Sequence, residues 1–585
     1  MRPGKRGHEI LQNGQQNSYS TMYKTLLSLC LTLILFSGCG TRTEEDPPPS
    51  PPNIILIMGD DMGYSDIGCY GGEINTPVLN NMAQEGLRFT QFYNVARCCP
   101  TRASLLTGLY PQQAGVGHMV SDRGTPAFKG DLSNQAVTIA EALKGAGYST
   151  YMSGKWHVTP YLIDNPTKHN WPRQRGFDKF FGMISGAGSL YDPRSLAEDN
   201  KYVAPREGFY CTTDFTDYAV KCIEDHEEGK PFFLYLSYTA AHWPMHAPAE
   251  AIAKYKGRYD AGWDSMREER YNRMKEMGIV DQGWELTPRD THVKAWDEEV
   301  PDREWEIANM EVYAAMVELM DEGIGQVVDV LKGKGIYENT LIFFLQDNGA
   351  CAEELDWVNP QPAAEDLVPM ERGELQTLMI PKITRDGKPV TVMKDGWPGP
   401  PESYTAYGLD WANASNTPFR EYKHWVHEGG ISTPLVVHWP EGIKSKGEVR
   451  SEPSHLIDIM ATCVDVAGGT YPSTYNEQSI IPMEGRSLIP AFADRPLDRD
   501  AIFWEHEGNR AVRMGKWKLI SKANKVDSYI WDKVDELALN DWELFDMEKD
   551  RTEMHDVSPG HEEMVKQMAG QWLEWAKRTG IVPRP

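Results

Sequence analysis

Three stretches of this sequence are almost wholly apolar and stop at polar or acidic residues, a pattern that restricts the fold more than any other feature of the chain. Asn53–Met58 (NIILIM) runs into Gly59-Asp60-Asp61, Pro231–Tyr238 (PFFLYLSY) precedes His242, and Thr340–Leu345 (TLIFFL) runs into Gln346-Asp347-Asn348-Gly349. A strand wetted on one face alternates apolar and polar residues, whereas one that is apolar throughout is buried on both faces, as in a parallel sheet covered by helices. Between the last two runs, Trp305–Leu331 sets Ile307, Met310, Ala314, Val317, Ile324 and Leu331 near a helical period. Thr76–Gly86 reads as a helix ahead of a strand at Leu87–Tyr93. Strands alternating with helices predict an α/β fold, with a large mixed, mostly parallel sheet sandwiched between helices and a site at the strand C-terminal ends.

The rhythm breaks at Ala247–Pro301, rich in Arg, Glu, Trp and Tyr, which reads as an insertion or rim. Its Trp263, Trp284 and Trp296 are open to two readings, stacking surfaces for sugars or ordinary packing. From Leu497 the pattern shifts: Ala511–Ile520 and Trp542–Met547 predict antiparallel strands, and Gly560–Lys577 an amphipathic closing helix. Residues 53–496 thus read as the main α/β domain and 497–585 as a smaller C-terminal α+β domain with an antiparallel sheet. With 10% aromatics and 18 Trp in 585 residues, disordered, collagen-like and coiled-coil readings fail. A formal charge of −26 repels phosphate backbones, which sets nucleic acid aside as a partner but leaves room for a local cationic pocket.

Leu26–Phe36 is an uncharged apolar run, preceded by Lys24 and followed by Ser37-Gly38-Cys39. It is shorter than the roughly 20 residues that span a bilayer and fits the apolar region of a signal peptide. Small residues before a cysteine resemble the bacterial lipobox, in which Cys39 is acylated after cleavage, although Phe36 stands where that motif prefers a smaller aliphatic side chain. Residues 1–39 therefore read as signal sequence, with 1–21 open to being untranslated because Met22 offers another start, and 40–52 as a proline-rich tether. The expectation is an exported, periplasmic or cell-surface lipoprotein that meets the membrane only through lipid on Cys39. Beyond that segment the cysteines are Cys69, Cys98, Cys99, Cys211, Cys222, Cys351 and Cys463, too few for a disulfide scaffold; a Cys211–Cys222 bridge is left open.

The most specific signal is Cys98-Cys99-Pro100-Thr101-Arg102, followed by Leu105-Leu106-Thr107-Gly108. It resembles the type I sulfatase signature, Cys-x-Pro-Ser/Thr-Arg continuing into Leu-Thr-Gly. Asp60-Asp61 and Asp347-Asn348 supply hard oxygen ligands; one Asp pair alone is more often a cap or turn, but two sets at strand ends suit a dication such as Ca2+. Gly154-Lys155-Trp156-His157 follows the family's Gly-Lys-Trp-His segment, and His242 with Pro244 and Ala247-Pro248 its His-x-Pro-x-x-Ala-Pro segment. Lys423, four residues short of Glu428-Gly429-Gly430, matches its Lys-x4-Glu-Gly-Gly loop. The resemblance runs through Ser415–Arg420 to Trp542–Asp546, covers nearly all of residues 53–585, and points to the arylsulfatase-type branch of the family, with its alkaline phosphatase superfamily fold.

The resemblance implies that a formylglycine-generating maturation enzyme oxidises Cys98 to Cα-formylglycine, Cys99 filling the variable position. It implies one Ca2+ held by Asp60, Asp61, Asp347, Asn348 and oxidised Cys98. The aldehyde hydrate, activated by metal and Asp347, would attack sulfur, with His242 and Lys423 as proton donors to the leaving group. His157 would take the proton of the second hydroxyl as sulfate is expelled, and Arg102 and Lys155 would orient the diol and offset charge. Position 98 is expected where a helix begins, and the three carboxylates are expected to depend on the metal to neutralise one another. The implied activity is hydrolysis of a sulfate ester, of a sulfated carbohydrate or an aryl sulfate. The alternatives are a phosphonate monoester hydrolase or phosphodiesterase of the same fold, and an inactive glycan-binding relative.

Overall fold

In the computed structural model, which describes residues 50–161, 167–297, 300–355, 367–522 and 542–582, the apolar runs lie at the middle of one sheet. The signal-like run, Cys39 and most of the proline-rich segment fall outside the described residues. The main sheet contains β1 (Asn53–Gly59), β2 (Leu87–Tyr93), β3 (Ser149–Gly154), β4 (Lys179–Met183), β5 (Leu196–Glu198), β6 (Lys201–Tyr202), β7 (Phe232–Ser237), β8 (Thr340–Gln346), β9 (Ser432–His438) and β10 (Glu448–Arg450). Their spatial order is β10-β2-β9-β8-β1-β7-β3-β4-β5-β6, and Ser454–His455 pairs beside β2. The run β8-β1-β7-β3-β4 is parallel throughout, while β9 lies antiparallel between β8 and β2.

Burial on both faces is why β1 carries no polar residue between Ile54 and Met58. Ile55 and Ile57 belong to one core, with α1 (Pro77–Glu85), α4 (Cys211–Glu224), α5 (Gly262–Glu276) and α6 (Arg303–Gly333). Ile54, Leu56 and Met58 belong to the other, with α2 (Cys98–Thr107), α3 (Ile139–Gly145), α7 (Ile457–Val466) and α8 (Glu562–Arg578). The fold is the expected sandwich. Beyond it, β11 (Ile502–His506), β12 (Asn509–Met514), β13 (Trp517–Ser521) and β14 (Glu543–Asp546) make a four-stranded antiparallel sheet. Val512, Leu519 and Leu544 join the second core, and Trp504, Ala511, Ile520 and Phe545 pack on Tyr93, Val426 and Ile431.

One expectation is corrected and one open question is answered. Ala247–Pro301 is not a rim: Tyr255, Tyr259, Trp263, Met266 and Met274 are core residues, and buried Arg270 pairs with Asp66 at 2.6 Å and Glu73 at 2.7 Å. Trp263 and Trp296 pack edge-on and tilted against Trp411, and half-buried Trp284 donates to the Glu548 carbonyl, so Trp263 and Trp296 have no free face for a sugar. Cys211 and Cys222 are free thiols at opposite ends of α4, about 16 Å apart along its axis at 1.5 Å per residue, far beyond disulfide reach.

Candidate active site

Four adjacent parallel strands, β8-β1-β7-β3, end on the same edge, and each delivers part of the predicted constellation. Asp347-Asn348 follow β8, Asp60-Asp61 follow β1, His242 follows β7 and Lys155-Trp156-His157 follow β3. β9 runs the other way, so the Lys423–Gly430 segment before it reaches that edge too; β2 ends there and leads to Cys98. Gly154 makes one of these exits possible: at φ +108° it has no room for a side chain, since a Cβ would stand 1.8 Å from the Ser237 carbonyl oxygen.

Asp60, Asp61 and Asp347 are all buried, and each has a cation against it. Lys155 Nζ lies 2.7 Å from Asp60 Oδ2, Arg102 Nη2 2.7 Å from Asp347 Oδ2, and Lys423 Nζ 2.9 Å from Asp61 Oδ2. This corrects the expectation that the carboxylates depend on a metal for neutralisation. Arg102 also donates to the Lys155 carbonyl and the Ser237 hydroxyl, which ties helix α2 to β3 and β7. Burial and the neighbouring Asp347 push the Asp60 carboxyl well above its usual range, against the pull of Lys155 and Arg102. Burial also raises Asp61, but Lys423 and His242 outweigh it and leave the group at about 2. Asn348 Nδ2 donates to Asp61 Oδ1 at 2.7 Å and to the Gly349 carbonyl at 2.9 Å. Asn348 Oδ1 and Asp60 Oδ1 are buried without a hydrogen-bond partner among the described residues. Two orphaned oxygens beside the Asp61 and Asp347 carboxylates are a donor set that fits a hard dication.

Cys98 opens helix α2, whose first turn has no side-chain cap, so its free N–H groups face an anion-attracting end. The two motif cysteines have different surroundings. Cys99 is core-packed, its Sγ 3.4 Å from the His118 carbonyl and from Met119 Sδ. At Cys98, a hydrogen bond from Cys99 works with His157 and Lys155 against burial to hold the thiol well below its ordinary range. Position 98 therefore favours a negatively charged atom. His157, with Cys98 and Cys99, places its ligand atom within 4.8 Å of theirs, and holds a left-handed φ of 52°. Burial keeps its imidazole below the usual pKa, hence neutral, and Nδ1 has no partner.

On the other side of Asp61, His242 Nε2 stands 3.4 Å from Oδ2 while His242 Nδ1 lies 2.6 Å from the Trp243 carbonyl, which makes Nδ1 the protonated nitrogen. Burial lowers His242 to about 4. Burial would lower Lys423 as well, but Asp61, Cys351 and Glu353 hold its ammonium well above the usual range. Sequence reasoning missed Glu353, Arg97 and His424. Glu353 touches Lys423 at 3.3 Å, Arg97 at 2.8 Å, His424 at 3.1 Å and Trp243 Nε1 at 3.0 Å. Arg97 and His424 were findable as the residues beside Cys98 and Lys423 of the motifs; nothing in the spacing marks Glu353.

Known families and proteins resemble this chain over most of its length. A family model described as Sulfatase matches residues 52–469, and one described as N-sulphoglucosamine sulphohydrolase, C-terminal, matches 420–578. An uncharacterized sulfatase of Schizosaccharomyces pombe is 31% identical over 564 residues, covering 91% of this chain and 95% of that protein. An arylsulfatase of Klebsiella aerogenes is 32% identical over 482 residues, covering 80% and 96%. The solved structure of Ps i-CgsB in complex with k-i-k-neocarrahexaose has 25% identity and a TM-score of 0.61, over 90% of this chain and 93% of that one. The fold and the site define a hydrolase of the alkaline phosphatase-like class. Within it, the chain belongs to the sulfatase family and is a sulfuric ester hydrolase.

Proposed function

We propose that the enzyme removes sulfate from a sulfated carbohydrate, using residue 98 after its oxidation to Cα-formylglycine by a maturation enzyme, and one Ca2+. The observation that carries this reading is the convergence at one sheet edge of a helix-opening Cys98, two cations aimed at its surroundings and a buried oxygen-ligand set. Asp60, Asp61, Asp347 and Asn348 would hold the ion, together with an oxygen at position 98; when bound, it supplies positive charge against the sulfate oxygens. Formylglycine supplies a hydrated aldehyde, whose hydroxyl is the nucleophile and whose return to the aldehyde releases sulfate.

The chain's own residues do the rest. Arg102 and Lys155 fix Asp347 and Asp60 and add positive potential where charge accumulates. His157, neutral and beside Cys98, would accept a proton from position 98 through the ring nitrogen that faces it. Lys423 carries the proton for the departing alkoxide. His242, neutral with Nδ1 committed to the Trp243 carbonyl, must gain a proton at Nε2 before it can share that task. Export as a lipid-anchored protein through Cys39 suits an enzyme acting on external polysaccharide. Release of inorganic sulfate from defined sulfated oligosaccharides, run beside nitrophenyl sulfate and a phosphonate monoester, tests the reading. Sulfate freed from a glycan supports it; turnover of the phosphonate alone would replace it.

A further inference from the structure

A second group of ligand-type side chains adjoins the Lys423 segment and has no part in the chemistry above. His424, His506 and Glu507 each present a ligand atom within 4.8 Å of the others. We propose that these three residues bind a transition-metal dication of the Zn2+ type, at a site separate from the oxygen-ligand set around Asp60.

The donor chemistry differs from that set. Two imidazoles and one carboxylate suit Zn2+, which takes three protein ligands and an open fourth position in many sites, whereas Ca2+ prefers oxygen alone. His424 Nδ1 stands 2.8 Å from Glu507 Oε2, and His506 Nε2 3.6 Å from Glu507 Oε1. Glu507 thus turns one carboxylate oxygen toward each imidazole, and the three ligand atoms lie close enough together to share one ion. His506 is the independent pointer: it is 1% exposed, and neither ring nitrogen has a hydrogen-bond partner among the described residues. A neutral imidazole facing a carboxylate with both nitrogens unsatisfied is a poor core residue and a ready ligand.

The surroundings supply the outer contacts such a site needs. His118 Nδ1 accepts the Met119 N–H at 2.6 Å, so its Nε2–H is left to donate to Glu507 Oε1 at 3.2 Å. His424 Nε2 faces Glu353 Oε1 at 3.1 Å, the carboxylate–histidine–metal arrangement that fixes the ligating tautomer. His424 and Glu507 hold left-handed backbone at φ 89° and 50°, a conformation neither residue favours, and both aim into the cluster. The competing account is an ion-pair network without metal, in which Arg97, in contact with His424 and 2.8 Å from Glu353, joins a protonated His424 in balancing the two glutamates. That account gives His506 a packing role, stacked on His118 at 5.5 Å between ring centroids, but leaves both its ring nitrogens without a hydrogen bond among the described residues.

The test uses the matured full chain in excess Ca2+, dialysed against Zn2+ and then metal-free buffer, with metal counted by elemental analysis and Co2+ substituted for its visible ligand-field absorption. The proposal expects one Zn2+ retained per chain, a tetrahedral-type Co2+ spectrum, and retention in Cys98→Ala, which takes residue 98 out of the separate Cys98, Cys99 and His157 group. His506→Gln and Glu507→Gln should each weaken binding at least 10-fold while near-ultraviolet circular dichroism and bound Ca2+ stay unchanged. If one variant misfolds, the other reads the same quantity. The proposal is overturned if the wild type retains no Zn2+, if Cys98→Ala loses it, or if both glutamine variants hold it as tightly as the wild type.

Discussion

Lys423 faces two carboxylates at once, Asp61 at 2.9 Å and Glu353 at 3.3 Å, which keeps its ammonium charged in a buried place. A sugar alkoxide needs a proton as the S–O bond breaks, while nitrophenolate can leave as an anion. Lys423→Ala is therefore expected to slow hydrolysis of a sulfated sugar by roughly 10²–10⁴-fold and that of nitrophenyl sulfate far less. Parallel kcat/KM values on the two substrates check this, and equal losses would remove Lys423 from the leaving-group step. At Gly186 a Cβ would stand 2.1 Å from His157 Cε1, so Gly186→Ala must displace the imidazole. A misplacement of that order costs roughly 100-fold in rate with the fold intact, measurable as a drop in kcat without a change in thermal unfolding. Cys98, Arg102, Lys155, His157, His242 and Lys423 were legible because each sits in a motif of fixed spacing. Glu353 acts through contacts with Arg97, Lys423 and His424, segments far apart in sequence, which no single stretch records.

The segment from Lys423 to Gly430 is held by charges from another element. Lys518 on β13 lies 2.8 Å from Glu428 and 2.7 Å from Glu553, and Arg551 lies 2.9 Å from Glu428, all fully buried. Lys518→Ala leaves buried Glu553 without its cation beside Glu428, which keeps Arg551, and removal of one partner of such a group costs about 3–5 kcal/mol. Denaturant unfolding should show that loss as a lower midpoint; an unchanged midpoint would mean that water reaches the network. At this scale the sequence read well where burial is two-sided. β1, β7 and β8 are apolar runs and fell where expected. β3 (STYMSG) and β9 (STPLVVH) escaped notice because polar and small residues interrupt them, though both are buried. Ala247–Pro301 misled because Arg270 looks like a surface charge until Asp66 and Glu73, about 200 residues upstream, come to meet it.

Over the whole molecule, buried histidines set the acid limit of stability. Burial lowers His246, His427 and His438 to about 4 from an ordinary 6.5. The unfolded chain therefore binds more protons than the folded one between those values, so stability is fully present above about pH 6.5 and falls as pH drops toward 4. The midpoint of thermal unfolding should decline steadily through that window, before ordinary carboxylates titrate; a flat profile from pH 6.5 to 5 would contradict it. A chain of net charge −26 concentrates Arg102, Lys155 and Lys423 at a single sheet edge, where the proposed sulfate ester would meet positive potential. The central claim is that residue 98, and not its neighbour, becomes the nucleophile. Peptide mass spectrometry on active protein co-expressed with a maturation enzyme tests it most directly. The account predicts formylglycine at position 98 with Cys99 unmodified, and no sulfate release from Cys98→Ala. Full activity from protein whose Cys98 is an intact thiol would contradict it.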